Sequence, residues 1–119
     1  MIIVDTNALI AIGEFKMDVF EEIKKVDSSQ IQILSGTIVE LNKIKNEQRG
    51  KFKSAASLAL SILKAKEIKI QKSEGDVDDA LVKLSMKGHL VLTQDKELKK
   101  RLQKPYMTIR QKKKVVIVG

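Results

Sequence analysis

This chain of 119 residues lacks cysteine altogether and contains only one proline and one histidine. The lack of cysteine excludes disulfides and thiolate metal sites. A zinc site is also disfavoured, because the single histidine, His89, cannot supply the missing ligands. No apolar run approaches the roughly 18 residues that a membrane span needs, and the N-terminus does not resemble a signal peptide. The simplest interpretation is a cytoplasmic protein without a membrane partner.

Aromatic residues are also scarce, at 3% of the chain. Phe15, Phe20, Phe52 and Tyr106 mostly occupy positions on apolar faces. Few platforms are therefore expected for the stacking of nucleic-acid bases.

Acidic residues are outnumbered, with 15 Asp and Glu against 23 Lys and Arg, for a formal net charge of +8. A field of this sign attracts polyanions, and nucleic acid is the usual one. The alternative is a lysine-rich solvated surface of the kind seen in heat-stable proteins. The basic residues accumulate toward the C-terminus, and the candidate contacts to nucleic acid are Lys96, Lys99, Lys100, Arg101, Arg110, Lys112, Lys113 and Lys114.

The length and a hydrophobic content of 43% fit one compact domain over residues 1–119. Short apolar runs predict strands near 2–4, 31–34, 68–70, 90–93, 106–109 and 115–118, the last of these as an edge strand. Amphipathic segments between them predict helices, the first over 8–12 with Thr6 or Asn7 as its cap and Gly13 as its end. This alternation predicts an α/β fold, a three-layer α/β/α sandwich with a mainly parallel central sheet.

Two of the predicted strands run directly into an acid, Asp5 after the first and Asp95 after Leu90-Val91-Leu92-Thr93-Gln94. Each acid alone could cap the following helix. In a parallel sheet, however, both acids lie at the carboxyl edge, where ligands bind in open α/β folds.

More acids follow strands later in the chain. Glu40 lies near the start of one helix, where an ordinary exposed residue is the simpler interpretation. Asp76, Asp78 and Asp79 open another helix, whose dipole favours acids there, but spacing cannot tell which of the three points into a pocket. Carboxylates that converge raise one another's pKa, and Mg²⁺ or Mn²⁺ is the natural compensation. The candidate metal ligands are Asp5, Glu40, Asp76, Asp78, Asp79 and Asp95.

Such a set suits metal-assisted phosphodiester hydrolysis, in which one or two ions activate water and stabilise the leaving oxygen. The basic surface would hold the backbone that a bare acidic pocket repels. Thr6, Asn7 and Thr93 are expected to orient the carboxylates by hydrogen bonds.

Four segments in this order resemble the motifs of the PIN-domain family, over nearly the whole chain. They are VDTNALI at 4–10, TIVEL at 37–41, VDDALV at 77–82 and LTQDKEL at 92–98. The resemblance implies a metal-dependent RNA endonuclease, with Asp5, Glu40, Asp79 and Asp95 as the catalytic acids. Asp79 is chosen because Ala80 and Leu81 follow it, as in the family pattern, and Asp76 and Asp78 remain alternatives. A homodimer is a further hypothesis from the resemblance.

Two branches of that family fit the chain. One resembles the PIN nucleases of small-subunit ribosomal RNA maturation, which implies a role in rRNA processing or RNA turnover and a ribosome-assembly partner. The other is the VapC toxin group, whose ribonucleases are neutralised by an antitoxin. A non-catalytic RNA-binding domain is the remaining alternative. A haloacid-dehalogenase-like domain is disfavoured, since it needs a second Asp where this chain has Asn7.

Overall fold

The computed structural model describes residues 1–119, which form six strands and six helices. The strands are β1 (Ile2–Val4), β2 (Ile31–Leu34), β3 (Lys69–Gln71), β4 (Leu90–Leu92), β5 (Tyr106–Arg110) and β6 (Lys114–Val118). The helices are α1 (Thr6–Glu14), α2 (Val19–Val26), α3 (Ser35–Glu47), α4 (Lys51–Ala65), α5 (Val77–Met86) and α6 (Lys96–Arg101). No helix is long and apolar enough to cross a membrane.

All strands join one sheet in the order β3-β2-β1-β4-β5-β6. The first five are parallel, and β6 pairs antiparallel with β5 as an edge strand. The predicted α/β architecture with a mainly parallel sheet is confirmed. The chain moves outward from β1 to β2 and β3 and then returns to place β4 on the other side of β1. The strand order therefore reverses between β1 and β4, and such a switch point leaves a crevice for a ligand.

Helices cover both faces of the sheet, each over its own hydrophobic core. The larger core joins one face of the sheet to α1, α2, α3 and α4. The smaller one joins the other face to α5 and α6 through residues such as Leu81 and Leu98. Side chains of β1 alternate between the two, Ile2 and Val4 toward the larger core and Ile3 toward the smaller. Burial on both faces explains why β1 reads as an unbroken apolar run.

The first helix differs from its prediction at both ends. Its N-cap is Asp5, whose Oδ1 accepts from the backbone N–H of Thr6 at 2.8 Å. It continues to Glu14, so the prediction that Gly13 ends it is wrong. A Cβ on Gly13 would lie 2.9 Å from both Cα and Cβ of Ala55 in α4. Gly13 therefore allows the close packing of α1 against α4. In the sequence, a glycine required by such a long-range contact cannot be told from a glycine that ends a helix.

Candidate active site

A pocket of about 430 Å³ opens at the carboxyl edge of the sheet, at the switch point between β1 and β4. β1 carries Asp5 into it and the turn after β4 carries Asp95. The register of these strands pairs Val4 with Leu92, so the residues that follow leave the sheet side by side. Its lining consists of Asp5, Thr6, Asn7, Ile10, Glu14, Glu40, Ile44, Phe52, Asp78 and Asp95.

Asp5 is the most deeply held acid of the pocket, with 5% of its surface exposed. Its Oδ2 accepts a hydrogen bond of 2.7 Å from the Thr93 hydroxyl, in addition to the bond from Thr6 N–H. Burial raises the pKa of Asp5, those two hydrogen bonds lower it, and the charges of Asp78 and Asp95 raise it. Burial is the largest of these causes and the net pKa is raised, so a positive charge nearby would favour the ionised form of Asp5.

Thr93 links the two strand-end acids. While its hydroxyl donates to Asp5, the same oxygen accepts from the backbone N–H of Asp95 at 3.1 Å. Asp95 in turn caps α6, with its Oδ1 accepting from the N–H groups of Glu97 and Leu98. Asp95 therefore caps α6 through Oδ1 and also lines the pocket, and its Oδ2 accepts no hydrogen bond from the chain.

Two further acids reach the pocket from helices that follow other strands. Glu40 extends from α3 and Asp78 from the first turn of α5. Partial burial raises the pKa of each, and the charge of Asp5 raises that of Glu40 further. The two helices meet closely because Gly36 has no side chain: a Cβ there would lie 2.7 Å from Cγ2 of Val77.

The remaining acids of α5 lie outside the pocket. Asp76 is the N-cap, with its Oδ2 accepting from the N–H of Asp79 at 3.3 Å. The Asp79 carboxylate pairs with the Arg101 guanidinium of α6 at 2.6 Å. Successive helix residues are about 100° apart around the axis, so only one of the adjacent pair can face the crevice. The structure places Asp78 there, whereas the family pattern had favoured Asp79.

The two other predicted orienting residues act differently from Thr93. The Asn7 side-chain oxygen accepts from the N–H of Gln94 at 3.0 Å, so Asn7 holds the turn before Asp95. The Thr6 hydroxyl is buried and lowers the pKa of Glu40, yet it forms no hydrogen bond of normal length and angle. A buried oxygen without a partner, in a pocket lined by carboxylates, is a position where an additional ligand fits.

The atoms in this pocket that could bind a metal are all oxygens, which suits Mg²⁺ or Mn²⁺. As the side chains stand, no three of the acids converge closely enough to hold one ion. Asp5 is fixed by its hydrogen bonds, while Glu40 is exposed and Asp78 and Asp95 are half-buried. Glu40 and Asp78 therefore have the freedom to turn toward Asp5 around a cation, whereas Asp95 is held through Oδ1 as the cap of α6 and would offer its other oxygen.

The predicted basic residues separate into two groups. Lys99 and Arg110 lie near each other and near Lys96, close to Asp95. Burial is the main cause that lowers the pKa of Lys99, and its positive neighbours Arg110 and Lys96 lower that pKa further. The others have partners or lie farther along the chain. Lys100 pairs with Glu97, Arg101 with Asp79, and Lys112 lies over the Phe15 ring. Lys113 precedes β6, and Lys114 begins that strand opposite Arg110.

The sequence interpretation missed Glu14 and an apolar wall formed by Ile10, Ile44 and Phe52. Phe52 keeps 42% of its surface exposed, although it was grouped with aromatics on apolar faces. The polar run that flanks it, 46–53, was the available signal: an aromatic within an exposed segment has no core to enter.

A sequence model described as a PIN like domain matches residues 2–112. The chain belongs to this PIN family. The chain is 36% identical over 100 residues to ribonuclease VapC9 of Archaeoglobus fulgidus, across 83% of this chain and 73% of that protein. Its fold is also similar to the solved PIN domain endonuclease Utp24, with a TM-score of 0.76, 24% identity, and coverage of 98% of this chain and 89% of that one. The PIN resemblance of the four motifs is thereby confirmed.

Proposed function

We propose that this protein is a Mg²⁺- or Mn²⁺-dependent RNA endonuclease, with Asp5, Glu40, Asp78 and Asp95 as its catalytic acids. The observation that carries the proposal is that these four carboxylates, from four separate segments, line one pocket together with a fifth, Glu14. The similarity to a ribonuclease of the same family supports RNA as the substrate.

The electrostatics of the pocket support a metal at this place. Three of its acids have a raised pKa, because burial and mutual repulsion disfavour their ionised forms. A bound divalent cation would neutralise that repulsion, activate water and stabilise the charge of the phosphodiester in hydrolysis. Asp5 is the anchor, because Thr93 and the start of α1 hold both of its oxygens in place.

The basic residues near Asp95 would position the substrate. Lys96, Lys99 and Arg110 are close enough for their charges to interact, and Asp79 does not neutralise them as it does Arg101. They would bind the phosphates that flank the one to be cut, since a backbone needs cations beside an acidic site.

The cellular role that we propose is processing or turnover of RNA, ribosomal RNA included. A toxin role with an antitoxin partner is the second candidate, and the similarity to VapC9 favours it. A small antitoxin gene beside this one would support the toxin role. The homodimer stays a prediction.

The function is tested by cleavage of a labelled RNA in Mn²⁺ by the wild type, Asp5→Asn, Asp78→Asn and Asp79→Asn. We expect the first two variants to lose at least about 100-fold in rate, the upper end of what outer partners of metal ligands cost. Asp79→Asn is the matched control, because it removes an equal charge from the same helix turn outside the pocket. Equal activity of all four proteins would overturn the site, and a loss confined to Asp79→Asn would restore the assignment from the family pattern.

A metal readout that does not depend on cleavage accompanies this assay. Millimolar Mn²⁺ should raise the melting temperature of the wild type, because a ligand of the folded state alone stabilises it. Asp5→Asn should lose most of that increase and Asp79→Asn should keep it. A wild type that melts at the same temperature with and without Mn²⁺ contradicts the metal site.

A further inference from the structure

The carboxylate pocket has an apolar side, which neither a cation nor a phosphate can use. Three of its ten lining residues are hydrophobic: Ile10 from α1, Ile44 from α3 and Phe52 from α4. Phe52 keeps 42% of its surface exposed, so it does not serve the core. An exposed aromatic residue beside a polar site is more informative than an exposed apolar residue elsewhere, because it offers a binding surface.

The position of Phe52 is set by the backbone before it. Gly50 precedes α4 with φ +65, and Phe52 lies in the first turn of that helix. The Lys51 ammonium lies over its ring at 5.5 Å from the centroid. Both side chains are exposed, so this contact is weak and a ligand can displace the lysine.

Phe52 is unlike the other aromatic residues. Phe20 is buried, while Phe15 and Tyr106 are half-buried, packed against the larger and the smaller core. Phe52 is therefore the single aromatic ring that both lines the pocket and is open to solvent.

From this arrangement we propose that the base of a nucleotide next to the phosphate to be cleaved stacks on Phe52, against Ile10 and Ile44. The proposal rests on the function proposed above and adds a base subsite to it. The base is the one part of an RNA strand with an extended apolar face, and stacking on an aromatic ring accepts every base. A paired base keeps both faces inside its helix, so the subsite selects unpaired RNA.

The absence of tryptophan from this chain allows a direct test. Phe52→Trp introduces a single tryptophan at the subsite, and Leu58→Trp places one at a similarly exposed position of α4, 43% exposed and outside the pocket lining. Each variant is titrated in EDTA with a fluorescein-labelled single-stranded RNA, whose anisotropy reports binding. The same titration uses an RNA of equal length made of abasic nucleotides, which keeps the phosphates and removes the bases.

We expect the single-stranded RNA to bind through the basic residues near Asp95 even without a metal, to quench the emission of Phe52→Trp and to leave that of Leu58→Trp unchanged. The abasic strand should bind without quenching either variant. In a cleavage assay, Phe52→Ala should raise KM by about 5- to 150-fold, the fold equivalent of losing one stacked base, and Leu58→Ala should not.

The other outcomes separate the subsite from the function. RNA that binds and is cleaved while Phe52→Trp stays unquenched overturns the subsite and leaves the endonuclease intact. Quenching by an RNA that no variant cleaves supports the subsite in a binding protein and overturns the endonuclease. Equal quenching of both tryptophans would mean non-specific contact and would overturn the subsite. Failure of both strands to bind would also overturn the subsite, and cleavage in Mn²⁺ would then decide the endonuclease separately.

Discussion

Asp5 is a buried carboxyl group, and its neighbours determine how much its ionisation reduces the stability of the folded protein. Because its pKa is raised, the folded state binds the proton more tightly than the unfolded state does. The contribution to stability is thus largest with the carboxyl protonated and falls as the pH rises through the raised pKa. The Thr93 hydroxyl opposes that loss, since it donates to the ionised form.

We therefore expect Thr93→Val to destabilise the protein at neutral pH by about 1.5–3 kcal/mol, the range for a hydrogen bond to a charged group. Valine matches threonine in shape but leaves Asp5 without this donor and the N–H of Asp95 without its acceptor. Only the first of these two losses should depend on pH. The cost should shrink near pH 3.8, the ordinary pKa of an aspartate, where the carboxyl is protonated. Urea denaturation at both pH values measures it. Thr93→Ser, which keeps the hydroxyl, is the control, and a cost independent of pH would contradict the role of the ionised Asp5.

The choice between Asp78 and Asp79 shows the limit of local pattern at the scale of one residue. The two residues are adjacent, so each lies near the start of a helix and is followed by apolar residues. The Arg101 guanidinium, 22 residues later, holds Asp79 away from the pocket. That contact depends on how α6 lies against α5, which no local motif encodes.

At the scale of elements, α1 and α4 pack closely against each other in the larger core. Gly13 faces Ala55 with no room between them, and Ala56 and Ala59 continue a row of small buried residues along α4. The small residues were recognisable in the sequence as a sign of close packing. Their partner was not, because Gly13 also matches the local signal for a helix end.

Gly13→Ala should make the protein less stable by about 1–3 kcal/mol, the usual cost of overpacking. In an exposed helix interior the same change would stabilise by about 1 kcal/mol, so the sign separates the two interpretations of Gly13. Guanidinium denaturation measures it. The double variant Gly13→Ala with Ala55→Gly should recover part of the loss, and a more stable single variant would contradict the close contact.

At the scale of the whole molecule, some of the basic residues lie near the acidic pocket and others lie far from it. Lys96, Lys99 and Arg110 lie on the Asp95 side. Lys24 lies instead beside the loop that enters β2, at the opposite edge of the sheet. A single RNA strand that enters the pocket would thus meet the first group and not Lys24.

RNA binding should weaken steeply with salt, because each neutralised phosphate releases counterions. For a single strand, the slope of log K against log salt should change by about 0.7 for each phosphate contact removed. Lys99→Gln and Arg110→Gln should each reduce the slope by that amount, and Lys24→Gln should not. Anisotropy of a labelled RNA in EDTA measures the slopes. An RNA affinity that does not change with salt concentration would contradict phosphate-based recognition.

Most of the architecture could be predicted from the sequence. Each predicted strand is present within one or two residues of its expected bounds. For β1 the reason is burial on both faces, which leaves a β-branched run few other places to lie. The placement of Asp5 and Asp95 at one edge followed from parallel pairing alone, which the structure confirms. Helix ends were less predictable, since the role of a residue such as Gly13 is set by its tertiary contacts.

The sequence by itself determined the sheet, its parallel direction and which edge carries the acids, because these depend on the order of apolar and polar residues. Only the tertiary structure decided which acid of α5 enters the pocket, which cations stay near Asp95 and that Phe52 lines the site. Those outcomes depend on the rotation of each helix about its axis and on contacts between distant segments. The periodicity of apolar residues specifies the buried face of a helix, but it does not specify which groups the remaining side chains contact.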